Sequence, residues 1–99
     1  MSSTTTRSER IRSLLQAGLA QAQVQVIDDS HLHAGHEGAR DGRGHYRVHV
    51  ISPAFAGKRI LQRHQLVYGV LEDMMSTDIH ALNIVAQTPE EAAVQTRTK

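Results

Sequence analysis

Ninety-nine residues, 39% of them apolar and three aromatic, describe one small domain whose interior must be filled by Leu, Ile, Val and Met. With no cysteine, the chain has neither a disulfide framework nor a thiolate of its own for a metal or cluster. A net charge of +1 gives no bulk electrostatic case for nucleic acid, although seven histidines make the surface charge sensitive to mild acid.

Residues 1–5 read as a disordered Ser/Thr tail ahead of a domain spanning 6–93, with 94–99 as a second tail. Nothing resembles a signal peptide, and no apolar run approaches the ~20 residues of a membrane span. The expectation is a soluble cytoplasmic protein, monomeric in isolation and without a membrane partner.

Thr6 and Glu9 fit a capping box, and Ile11, Leu14, Leu15 and Leu19 follow at helical spacing, which predicts a helix over 7–20. Val24 and Val26 alternate with Gln23, Gln25 and Ile27 in a strand pattern that stops at Asp28-Asp29. A second alternating run, Tyr46 to Ile51, predicts its antiparallel partner, ended by Ser52-Pro53. Phe55 plugs the core from a short turn closed by Gly57. Ile60, His64, Val67, Leu71 and Met74, widened by Leu61, Tyr68 and Met75, predict one long helix over 58–75. Ile79 to Ala86 reads as a third strand with His80, Leu82, Ile84 and Ala86 on one face. Thr88-Pro-Glu-Glu91 is a second capping box opening a short terminal helix. The fold class is α+β: a small three-stranded mixed sheet with helices packed on one face.

Between the first two strands lies the densest chemistry in the chain. Asp28 to Ile51 holds five of the seven histidines (His31, His33, His36, His45, His49) and four of the seven glycines. A connection this long in a compact domain is usually functional or mobile. In an extended segment His31 and His33 point to one side and with His36 suggest a stand-alone zinc or nickel binder. Against this, glycine-rich chain does not pre-organise three rings, and zinc sites usually include a thiolate or carboxylate. His45 and His49 read as half-exposed strand positions, and His64, on the apolar stripe, as a buried neutral ring with a satisfied hydrogen bond. His80 alone reads as structural. No phosphate loop, Cys-His pair or nucleophile elbow is present, and Asp28, Asp29, Glu72 and Asp73 look like turn and helix-surface charges. No enzyme is expected.

Several blocks in order nevertheless match a known family. Asp28-Asp29-Ser30, His45-Tyr46-Arg47-Val48, Ser52-x-x-Phe55-x-Gly57-Lys58, Arg63-His64-Gln65-Leu66-Val67-Tyr68, Ile79-His80-Ala81-Leu82 and Thr88-Pro89-Glu90 together resemble the BolA family. The resemblance implies a fold similar to the class II KH domain and a non-enzymatic adaptor that binds a monothiol glutaredoxin as a heterodimer. It further implies a bridging 2Fe-2S cluster, in iron–sulfur trafficking or iron and redox sensing. The glutaredoxin and a glutathione would supply thiolates. This chain would supply a loop histidine and the histidine opening the third strand, His80. Counting back eight intervening residues from the His45-Tyr46 pair leads to His36, with His33 and then His31 as the alternatives. Histidine ligation fits a cysteine-free chain: it leaves the cluster less negative, as in Rieske centres, and makes it proton-sensitive.

The family also contains proteins described as DNA-binding regulators of stress response and cell morphology. KH domains clamp a nucleic-acid backbone with a GXXG loop. The corresponding turn here reads Phe55-Ala56-Gly57-Lys58, without the second glycine, leaving Lys58, Arg59 and Arg63 as candidate phosphate contacts.

Overall fold

The computed structural model describes residues 6–29 and 44–97. Helix α1 spans Arg7–Gly18, and strands β1 and β2 span Gln23–Asp28 and Gly44–Ile51. A 3-10 turn at Pro53–Phe55 leads into helices α2 (Ile60–Val70) and α3 (Glu72–Met75). Strand β3 (Ile79–Gln87) and helix α4 (Pro89–Arg97) complete the order.

Local sequence explains most of these limits. The Thr6 hydroxyl accepts from the Glu9 amide at 3.1 Å, and the Glu9 carboxylate accepts from the Thr6 amide at the same distance. Thr88 and Glu91 repeat this reciprocal box at α4, with Pro89 in the first turn, where its missing N–H has no intrahelical partner to lose. At the 3-10 turn, the buried Ser52 hydroxyl accepts from the Ala54 amide at 3.1 Å and donates to the Ala20 carbonyl at 2.6 Å. Gly57 ends that turn with φ of 74°, a left-handed conformation that disfavours side chains.

The sheet has the order β1-β2-β3. β1 and β2 pair antiparallel with Val24 opposite Val50 and Val26 opposite Val48, while β2 and β3 pair parallel with Val48 opposite Ile84. Tyr46, Val48 and Val50 therefore turn inward together, and His45, Arg47 and His49 turn to the open face. The inward face packs on Ile11 and Leu15 from α1, on Leu19 at its C-cap, on Phe55, and on Val67, Leu71 and Met74 from the α2–α3 region. Burying each such side chain contributes about 1.5–3 kcal/mol. Where α1 crosses α2 there is no room for a methyl group: a Cβ on Gly18 would stand 2.8 Å from Val70 Cγ2.

Three expectations change. The long helix is two helices, because the chain breaks at Leu71 (φ −98°, ψ 14°), whose buried side chain keeps the apolar stripe unbroken in sequence. The first turn of α2 lies outside the core, with Ile60 and Leu61 69% and 68% exposed. The terminal helix runs to Arg97, into the 94–99 stretch read as a tail.

Candidate functional site

The site is built where β2 and β3 begin. These strands are parallel, and each carries a histidine as its second residue: His45 after Gly44, and His80 after Ile79. Gly44 stands opposite Ile79, but His45 stands opposite Ala81, so His80 is an extra residue with no counterpart on β2. A bulge of this kind resets the inward–outward alternation. Ile79 is buried, His80 and Ala81 both face out, and inward packing resumes at Leu82 and Ile84. This corrects the expectation that His80 shares a face with Leu82, Ile84 and Ala86. Its ring is exposed and lies against half-buried His45, with ring centroids 5.1 Å apart and the planes tilted by 53°.

Two ion-pair anchors hold this corner. The Asp78 carbonyl accepts from the Gly44 amide at 2.9 Å, tying the start of β3 to the start of β2. The Asp78 carboxylate accepts from Arg7 Nε and Arg10 Nη1, both at 3.2 Å, and from the Thr77 hydroxyl at 3.1 Å. Burial alone would raise the Asp78 pKa, but the Thr77 hydroxyl and the two guanidinium groups outweigh it and hold the carboxyl below its ordinary range. On the other flank the Asp29 amide donates to the His45 carbonyl at 2.8 Å, and its carboxylate takes Arg47 Nε at 2.5 Å. Asp29 is thus an engaged group rather than a turn charge. Asp29 and Gly44 are thus both fixed at the corner of the histidine pair.

Of the candidate cluster ligands, His80 is placed in this corner, while His36, His33 and His31 lie outside the described residues. His45 is the member that sequence reasoning passed over as an ordinary strand position. The available signal was that both histidines occupy the second position of their strands, and parallel strands starting level bring such positions together.

His49 and His64 stand outside the ring pair. His49 is on the open sheet face with Nε2 2.6 Å from the Gln87 side-chain oxygen. His64 is half-buried, not buried as the stripe suggested, and with Tyr68 and His45 lines a hollow of about 390 Å³.

Lys58, Arg59 and Arg63 meet around a separate groove of about 630 Å³ floored by Ile84 to Gln87. Their charges are not equivalent. Arg63 makes a two-pronged contact to Glu91 at 2.6 and 3.0 Å and donates to the Ala86 carbonyl at 3.1 Å. Arg63 therefore ties α2 to β3 and α4, which leaves Lys58 and Arg59 as the cations of that groove without an ion pair among the described residues.

Chemically, the β2–β3 corner offers imidazole nitrogen donors, in a chain without cysteine. Among the described residues no three His, Cys, Asp or Glu side chains are grouped to hold a metal ion. The exposed His80 imidazole suits a borderline metal such as iron or zinc, with thiolate or further imidazole donors arriving from elsewhere. The residues present therefore fit a shared cluster and do not form a complete site.

Comparison with known proteins agrees with this architecture. The family described as BolA-like protein matches residues 15–91. SufE-like protein 1 of Arabidopsis thaliana, chloroplastic/mitochondrial, is 41% identical over 90 residues, which is 86% of this chain and 24% of that protein. The DNA-binding transcriptional regulator BolA of Escherichia coli is 34% identical over 83 residues, 84% of this chain and 76% of that protein. The solved BolA domain of Arabidopsis SufE1 superposes with a TM-score of 0.74 at 38% identity, covering 90% of this chain and 99% of the domain. On its sequence, its sheet topology and these matches, the chain belongs to the BolA family.

Proposed function

We propose that this protein is a non-enzymatic adaptor that binds a monothiol glutaredoxin and shares a bridging 2Fe-2S cluster with it, for cluster delivery or iron sensing. The carrying observation is His80, held out on a bulge beside His45 in a chain without cysteine. A bulge that re-aims one side chain and leaves the flanking core intact is a device found next to functional sites. His80 is assigned as one ligand and His36 of the 30–43 segment as the other, with His33 and His31 as alternates. Thiolates come from the glutaredoxin and glutathione. When bound, the cluster supplies a redox- and proton-sensitive link between the two proteins.

The test is reconstitution. Mixing the chain with a monothiol glutaredoxin, glutathione, iron and sulfide is expected to give a heterodimer whose visible circular dichroism differs from that of the glutaredoxin homodimer. His80→Ala and His36→Ala should each abolish the difference. A spectrum unchanged in both variants would remove the ligand assignment.

A second reading, transcriptional regulation through DNA, is favoured by the similarity to the DNA-binding transcriptional regulator of E. coli and by the groove beside Lys58 and Arg59. Phosphate contacts there should weaken steeply with salt. Sequence-selective binding that survives physiological salt and is lost in Lys58→Ala/Arg59→Ala would support it.

A further inference from the structure

We infer that His45 and His80 form a metal site of their own, able to hold a single late first-row divalent cation, zinc, nickel or copper, without any partner protein. Neither the cluster reading nor the loop-binder reading gives His45 a role.

The geometry carries this. A zinc–imidazole bond of about 2.1 Å puts a ring centroid about 3.2 Å from the ion, so two rings at a tetrahedral angle have centroids about 5.2 Å apart. The observed separation is 5.1 Å. The two rings thus already stand at the spacing of imidazoles that share an ion, and their 53° tilt is compatible with independent rotation about each metal–nitrogen bond.

The backbone that sets this spacing is fixed from three directions. The Gly44 amide donates to the Asp78 carbonyl, the Asp29 amide donates to the His45 carbonyl, and α1 holds the Asp78 carboxylate through Arg7 and Arg10. His45 is half-buried and His80 exposed, so the pair has an inner and an outer ligand. A pair held in place before binding loses less conformational freedom on binding. With two protein ligands the remaining positions go to water or a small anion. That makes the site open and exchangeable rather than structural. Imidazole is the donor type that zinc, nickel and copper share, and it favours them over magnesium or calcium.

The experiment uses zinc alone and the full chain carrying His31→Asn, His33→Asn and His36→Asn, so that loop rings cannot compete. Ring signals of His45, His49, His64 and His80 are followed by NMR during titration. One equivalent of zinc should shift His45 and His80 together and leave His49 and His64 in place. Loss of a second-shell partner alone weakens metal binding about 10–100-fold, so adding His80→Asn or His45→Asn should weaken zinc by at least about tenfold. His80 is exposed, so its replacement tests the site even where His45→Asn perturbs the sheet. Absence of any shift, shifts confined to His49 or His64, or unaltered affinity in the His80→Asn protein would each overturn the inference. The outcome is separable from the cluster reading. His45→Asn should lose zinc and keep the heterodimer spectrum, whereas His36→Ala should do the reverse.

Discussion

The Asp78 carbonyl and the Gly44 amide, 2.9 Å apart, join the two strand ends from which His80 and His45 project. Gly44 stands one residue before His45 and Asp78 two residues before His80, and the Asp78 side chain carries the same junction to α1 through Arg7 and Arg10. Through those two ion pairs the first helix helps set where both rings stand.

Asp78→Asn tests that relay. The amide preserves size but removes the charge that both arginines meet. Because the arginines are about half exposed, a loss of only about 1 kcal/mol is expected, read as a lower urea midpoint. The more telling readout is the ring signals of His45 and His80, which should both move while His49 stays. Unmoved His45 and His80 signals would show that the carboxylate has no part in positioning them.

Gly18→Ala should destabilise the fold, although alanine ordinarily favours a helix. Its new methyl would meet Val70 Cγ2 at 2.8 Å, and overpacking of this kind costs about 1–3 kcal/mol against a propensity gain of up to about 1 kcal/mol. Adding Val70→Ala should recover stability relative to Val70→Ala alone, because the clash is removed. A double-mutant cycle with no coupling would contradict the close approach of α1 to α2.

The Arg63–Glu91 pair predicts an acid-sensitive tether of α4. Hydrogen bonds from Arg63 and then from the Thr88 backbone lower the Glu91 pKa from 4.5 to about 2. A carboxylate depressed in the folded state adds stability that is fully present above its unfolded value and is lost as pH falls through the folded one. The stability difference between the native chain and Glu91→Gln should therefore be constant above pH 4.5 and shrink from there toward about 2. Urea unfolding across that range checks it, and a difference that grows on acidification would contradict the pairing.

How much of this could be read from the residues varies by feature, for physical reasons. Both capping boxes, at Thr6–Glu9 and Thr88–Glu91, were legible because a cap is a contact between residues three apart. The hairpin and the parallel third strand followed from alternation and the intervening helix. The bulge did not. Strand parity is counted from an assumed start, and Ile79-His80-Ala81-Leu82 gives no local mark that an extra residue enters there. The break at Leu71 was hidden for the opposite reason: the stripe Val67, Leu71, Met74 stays in phase because all three face the core. Exposure of Ile60 and Leu61 was also invisible, since periodicity shows which face a residue shares but not how far the sheet extends beneath it. The pairing of His45 with His80 is a consequence of the parallel register between residues thirty-five apart in sequence, which no local pattern contains.

The central claim is that this chain gives imidazole ligands, His80 among them, to a cluster completed by another protein. Its most direct test is pulsed electron paramagnetic resonance of the reduced heterodimer, assembled from unlabelled glutaredoxin and a chain grown with nitrogen-15 histidine. Nitrogen-15 hyperfine coupling from directly bound imidazole is expected, diminished in His80→Ala. A cluster-loaded heterodimer with no nitrogen-15 coupling, or with coupling unchanged in His80→Ala, would contradict it.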